Sequence, residues 1–118
     1  MEQEVRQEIE ILHEQVCLVL ADPIRIMLIV TLAQKPQCVN DLAAELALPQ
    51  STISRHLRVL RERSLVVTTR QGTSVCYALA DDRLIEVIDL LRGILRDRVL
   101  KQVNVITNAA PKVVADDV

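Results

Sequence analysis

Between residues 50 and 63 the chain reads QSTISRHLRVLRER, and these side chains suit contact with a polyanion. Gln50, Ser51, Thr52 and Ser54 are short hydrogen-bonding groups at the front, and Arg55, Arg58 and Arg61 follow as long cations. On a helix, Ile53, Leu57 and Leu60 fall at i, i+4 and i+7 and form an apolar underside, so the polar set faces outward. Short polar groups let a helix backbone approach base edges, and arginines further along reach phosphates. Downstream, Arg70 and Thr73 stand beside Gly72 and suit the neighbouring minor groove or backbone. Taken alone, an arginine-rich helix face is merely solvated; its neighbours give it meaning. His56 reads equally as a DNA contact or as a cap on the core.

The thiols form a second group. Cys38 stands at or just before the start of a short helix, where a thiol gains little as a cap but its thiolate is favoured. The alternative is that Asn40 caps that helix. His13 and Cys17 are four apart on one helical face, as a shared metal requires or as a boundary histidine beside a buried thiol. Cys76 falls on the strand face opposite Val75, Tyr77 and Leu79 and reads as partly exposed. Tyr77 reads as packing at the base of its hairpin rather than stacking on a nucleotide. Three thiolates suit a soft metalloid such as arsenite, and two can oxidise to a disulfide. Spacing alone does not say which of them meet. No glycine-rich phosphate loop, nucleophile elbow or Cys–His dyad is present, so no enzyme is expected.

These residues need a scaffold. Val5, Ile9, Leu12, Val16 and Val19 recur at spacings of four and three, predicting one helix over 2–20. Asp22-Pro23 reads as a cap and first-turn proline for a second, nearly all-apolar helix that ends before Lys35-Pro36. A third helix follows over 39–46, then a Leu48-Pro49 turn and the arginine-bearing helix over 50–63. Runs at 65–70 and 74–80 flank Gln71-Gly72-Thr73 and predict a β-hairpin, a wing over 65–80. Asp81 or Asp82 can cap a last helix over 82–104, with Leu84, Val87 or Ile88, Leu91, Ile94 or Leu95, and Val99 inward; 109–118 reads as a disordered tail. The order predicts a mainly α fold with a small β-hairpin, a winged helix-turn-helix spanning 1–108.

Composition agrees. The 118 residues are 50% hydrophobic, with Tyr77 the only aromatic, so the core is built from Leu, Ile, Val and Ala. The net charge is −2, yet residues 50–73 carry five arginines against Glu62 alone. That is a local cationic patch on an acidic body. No apolar run reaches the ~18 residues of a membrane span, no leader pattern is visible and the cysteines are odd in number; a cytoplasmic chain is expected.

ADPIRIMLIVTL, CVNDLAAELALPQSTISRHLRVLRERSLV and RQGTSVCYALAD together resemble the ArsR/SmtB family of metalloregulatory repressors, over about residues 21–82. The resemblance implies that Gln50, Ser51, Ser54 and Arg55 touch bases of double-stranded operator DNA, that the hairpin is the wing and that the first and last helices form a homodimer. Their apolar stripes, Val5, Ile9, Leu12 and Val16 with Leu91, Ile94, Leu95 and Val99, fit that role. It also implies a homodimeric repressor released by a soft metal, a metalloid or a thiol-reactive signal through Cys38. Two departures stand out. Pro49 occupies the place of a capping serine, so Ser51 is expected to take over the cap. Asn40 replaces the second cysteine of the family's C-V-C motif, and no histidine follows His56. A repressor without a metal site and a protein-interaction module are the alternatives.

Overall fold

The Asp22-Pro23 pair begins a helix as its chemistry requires. Asp22 is extended, its Oδ1 accepts from the Ile24 N–H at 2.8 Å, and Pro23 opens α2 (Pro23–Gln34). The computed structural model describes residues 1–109, with side chains through residue 102; the proposed tail beyond Ala109 lies outside the described residues. No described helix is long and apolar enough to cross a membrane.

Two units are described separately, Met1–Leu84 and the segment from Ile85 onward. In the first, α1 (Gln3–Leu12) is followed by a π-helical turn, His13–Cys17, and a 3₁₀ turn, Val19–Ala21. The single helix expected over 2–20 is therefore interrupted. Leu18 N–H donates to the His13 carbonyl at 2.9 Å, the i→i−5 bond of a π turn, and the 3₁₀ turn then delivers the chain to Asp22.

Next come β1 (Gln37–Cys38), α3 (Val39–Leu46), α4 (Gln50–Glu62), β2 (Val66–Gln71) and β3 (Ser74–Leu79). The sheet has three antiparallel strands in the order β1-β3-β2 rather than the two of a hairpin. β1 was not anticipated because two residues after a proline carry no period. Gln71 pairs with Ser74, which leaves Gly72 and Thr73 as a two-residue loop. Gly72 has φ +64°, a conformation that glycine adopts without steric cost.

Leu28, Ile29, Leu42, Ile53, Leu57 and Leu60 are fully buried and form the centre of the unit, where α2, α3 and α4 pack together. Each such side chain contributes on the order of 2 kcal/mol through burial. The turns that set α3 against α4 rest on two non-glycine residues with positive φ, Ala47 (55°) and Ser64 (60°). Leu48 N–H bonds the Ala43 carbonyl at 3.1 Å, and Leu65 N–H bonds that of Leu60 at 3.0 Å, closing both helix ends.

The second unit is carried by α5 (Arg83–Ala109). Of the two capping candidates, Asp81 serves: its Oδ1 accepts from the Arg83 N–H at 2.9 Å. Ile88, not Val87, is the buried one of that pair, while Leu91, Ile94 and Leu95 are exposed.

Candidate nucleic-acid interface

The underside of α4 fixes which way its other faces look. Ile53, Leu57 and Leu60 are buried, and His56 joins them at 6% exposure, so His56 belongs to the core. Arg25 holds it there. Its Nε donates to the Val19 carbonyl, and its Nη1 lies 3.4 Å from His56 Nδ1. With Nδ1 as acceptor, the ring hydrogen sits on Nε2. One guanidinium thus ties the 3₁₀ turn and α2 to the back of α4.

Gln50, Ser51, Arg55, Arg58 and Arg61 are exposed on α4, and Thr52 and Ser54 are half-buried. Arg70, on β2, and Thr73, in the wing turn, are exposed as well. Among the described residues the ion pairs are Arg83–Asp81 at 2.6 Å and Arg92–Asp89 at 3.4 Å. Arg55, Arg58, Arg61 and Arg70 take part in neither, so their charges face solvent uncompensated. The start of α4 is equally open. Pro49 occupies the N-cap position with no side-chain cap bond, and the first intrahelical bond is Ile53 N–H to the Pro49 carbonyl at 3.1 Å. Ser51 therefore does not take over the cap, and the helix begins at Gln50 without a shift. The N–H groups of Gln50, Ser51 and Thr52 have no intrahelical acceptor.

An open cleft of about 550 Å³ lies between the start of α3, the first turn of α4 and the wing. Its walls include Cys38, Asn40, Gln50, Ser54, Thr73 and Tyr77. Tyr77 is half-buried at the base of the wing, paired with Thr68 on β2 and Gln37 on β1. Cys38 stands opposite Cys76 in the β1–β3 register, and the two are disulfide-bonded. Cys76 is 4% exposed, against the expectation of partial exposure. α2 and α3 both pack on β3, so both of its faces are partly covered and simple alternation misassigned this one. Cys38 occupies the N-cap position of α3 without a cap bond, and Asn40 lies inside the helix, so Asn40 is not the cap. Cys17 is free and exposed in the π turn, where His13 is exposed too. Among the described residues no group of three or more His, Cys, Asp or Glu could hold a metal. The Cys38–Cys76 pairing was not legible in sequence because it depends on the unanticipated β1.

A helix pair joined by a tight turn, followed by a β wing beside an outward cationic second helix, defines a winged helix-turn-helix protein. The model of the arsR family of bacterial regulatory proteins matches residues 22–67. The chain belongs to that family. It is 43% identical over 75 residues to the biofilm growth-associated repressor of Agrobacterium fabrum, covering 64% of each chain. It is 39% identical over 71 residues to the HTH-type transcriptional regulator MJ1325 of Methanocaldococcus jannaschii, covering 59% of this chain and 80% of the relative. The matched stretch spans less than two thirds of the Agrobacterium repressor and about half the length of two further named repressors. A solution structure of the homodimeric winged helix-turn-helix DNA-binding domain Mb0332 from Mycobacterium bovis is 22% identical and superposes with a TM-score of 0.71. That match covers 82% of this chain and 90% of the other, and it establishes the fold. The named sequence relatives are repressors and regulators, not enzymes.

Proposed function

We propose that this chain is a cytoplasmic, homodimeric repressor that reads duplex DNA with α4 in the major groove and the wing against the adjacent backbone or minor groove. Gln50, Ser51, Thr52, Ser54 and Arg55 contact base edges, and Arg58, Arg61, Arg70 and Thr73 engage phosphates and the minor groove. The observation that carries this reading is the set of outward arginines on α4 and β2 that have no carboxylate partner among the described residues. Unpaired cations around an uncapped helix start form a surface complementary to phosphate. Two copies reading two half-sites supply the specificity that one helix lacks. The Agrobacterium and Mycobacterium bovis proteins, named as a repressor and as a homodimeric DNA-binding domain, support it. The inducing signal is one that thiols register, a soft metal, a metalloid such as arsenite or an oxidant, and it acts through Cys38.

The test is fluorescence anisotropy on a duplex selected from a random pool by the protein. Wild type should bind with a log–log salt dependence, and Arg55→Ala/Arg58→Ala should weaken binding and flatten the slope by roughly 2. An unchanged affinity in the double variant, with the fold intact by circular dichroism, would instead favour a protein-interaction module.

A further inference from the structure

The disulfide joins residues 38 apart, and the nine candidate DNA contacts, from Gln50 to Thr73, all lie between its two ends. Covalently, Cys38–Cys76 closes a ring around α3, the turn, α4 and the wing. We infer that this pair is a reversible oxidation site, with a peroxide as its oxidant, and that the oxidised form is the tighter DNA reader. The inference rests on the proposed DNA-reading role.

Three observations carry it. First, register places Cys38 directly opposite Cys76 on adjacent antiparallel strands, so the two side chains share one face. Second, the sulfurs differ in access. Cys38 is half-buried on the wall of the open cleft, while Cys76 is buried behind it. Cys38 also stands at the start of α3 with no cap bond, where backbone N–H groups favour a thiolate. Cys38 is thus the sulfur that an incoming oxidant meets and Cys76 the one that resolves. Third, the bonded state is the one in which Gln50, Ser54 and Thr73 face each other across a single cleft, with the α4 arginines turned to solvent. Fixing the wing to the start of α3 holds the two DNA contacts in one relative placement. That ordering is then complete before DNA arrives, which raises affinity.

The chemistry balances in two steps. The Cys38 thiol attacks the peroxide O–O bond, giving a sulfenic acid and releasing an alcohol, or water from hydrogen peroxide. The Cys76 thiol then displaces water from the Cys38 sulfenic acid, forming the S–S bond. The two sulfurs lose two electrons and the peroxide gains them. An excess of a small thiol reverses the reaction by exchange, leaving both cysteines reduced and the small thiol as its own disulfide.

The experiment uses the full chain, reduced, then treated with stoichiometric hydrogen peroxide. Peptide mapping should find Cys38 joined to Cys76, and the oxidised protein should bind the selected duplex about tenfold more tightly, reversibly with reductant. Cys38→Ser and Cys76→Ser should each bind as the reduced form does under both conditions, whereas Cys17→Ser should respond as wild type. Equal affinity of the two wild-type forms overturns the inference while leaving DNA reading intact, and that comparison needs no variant to fold. A peroxide product joined through Cys17 overturns it as well. Absence of duplex binding in either form overturns the DNA-reading role and the switch with it.

Discussion

Asp81 shows how one side chain can fix an element and report on it. Its carboxylate accepts from the Arg83 backbone and from the Arg83 guanidinium, the shortest contact being 2.6 Å. The guanidinium hydrogen bond, reinforced by the backbone N–H, lowers its pKa from 3.8 to about 2. A carboxyl depressed in the folded state stabilises it above the unfolded pKa, and that stabilisation is lost as pH falls from about 4 through 2. A carbon-detected NMR titration should find a midpoint near 2 for Asp81, and Arg83→Ala should move it back toward 3.8. A midpoint near 4 in wild type would remove the capping role. Arg25 acts at the same scale. Its two contacts explain why an arginine stands in the otherwise apolar IRIMLIVTL run, and why His56 is spent on the core rather than on DNA.

The helix-turn-helix is held by its ends as well as by its core. Ala47 and Ser64 both adopt left-handed backbone conformations at helix C-termini, at a steric cost that glycine does not bear. Ala47→Gly and Ser64→Gly should each stabilise the protein by about 0.5–1 kcal/mol, read as a rise in the urea midpoint at constant slope. A drop in midpoint would show that the Cβ atoms make contacts outweighing the strain. The disulfide acts on the same element from outside. Closing a loop of 38 residues lowers the entropy of the unfolded chain, contributing on the order of 4 kcal/mol in the loop-closure picture. Reduction should therefore lower the melting temperature as well as the DNA affinity.

For the whole molecule, charge and apolar surface are segregated. The cations of α4 and β2 lie on a chain whose net charge is −2, so the attractive field is local and duplex binding should weaken steeply with salt. Val5, Ile9 and Leu12 on α1 are 41–49% exposed, and Leu91, Ile94 and Leu95 on α5 are 49–58% exposed. Stripes of this kind on two separate helices fit a self-complementary interface between copies. Leu91→Glu/Leu95→Glu should shift the protein from dimer to monomer in light scattering and abolish tight operator binding, with the helicity of each subunit retained. A dimer that survives the double variant would place the interface elsewhere.

Helix boundaries at 23–34, 39–46 and 50–62, the wing and the outward face of α4 were legible because each depends on local signals. These were a capping Asp-Pro, breaking prolines, a 3.6-residue apolar period and a glycine turn. Tertiary contacts decided the remainder. The π turn after Leu12, the strand β1, the burial of His56 and Cys76 and the bond between Cys38 and Cys76 arise from groups distant in sequence. A two-residue strand or a half-covered sheet face leaves no period behind; only the partners packed against it, Arg25 for His56 and α2 and α3 for β3, determine where those side chains point.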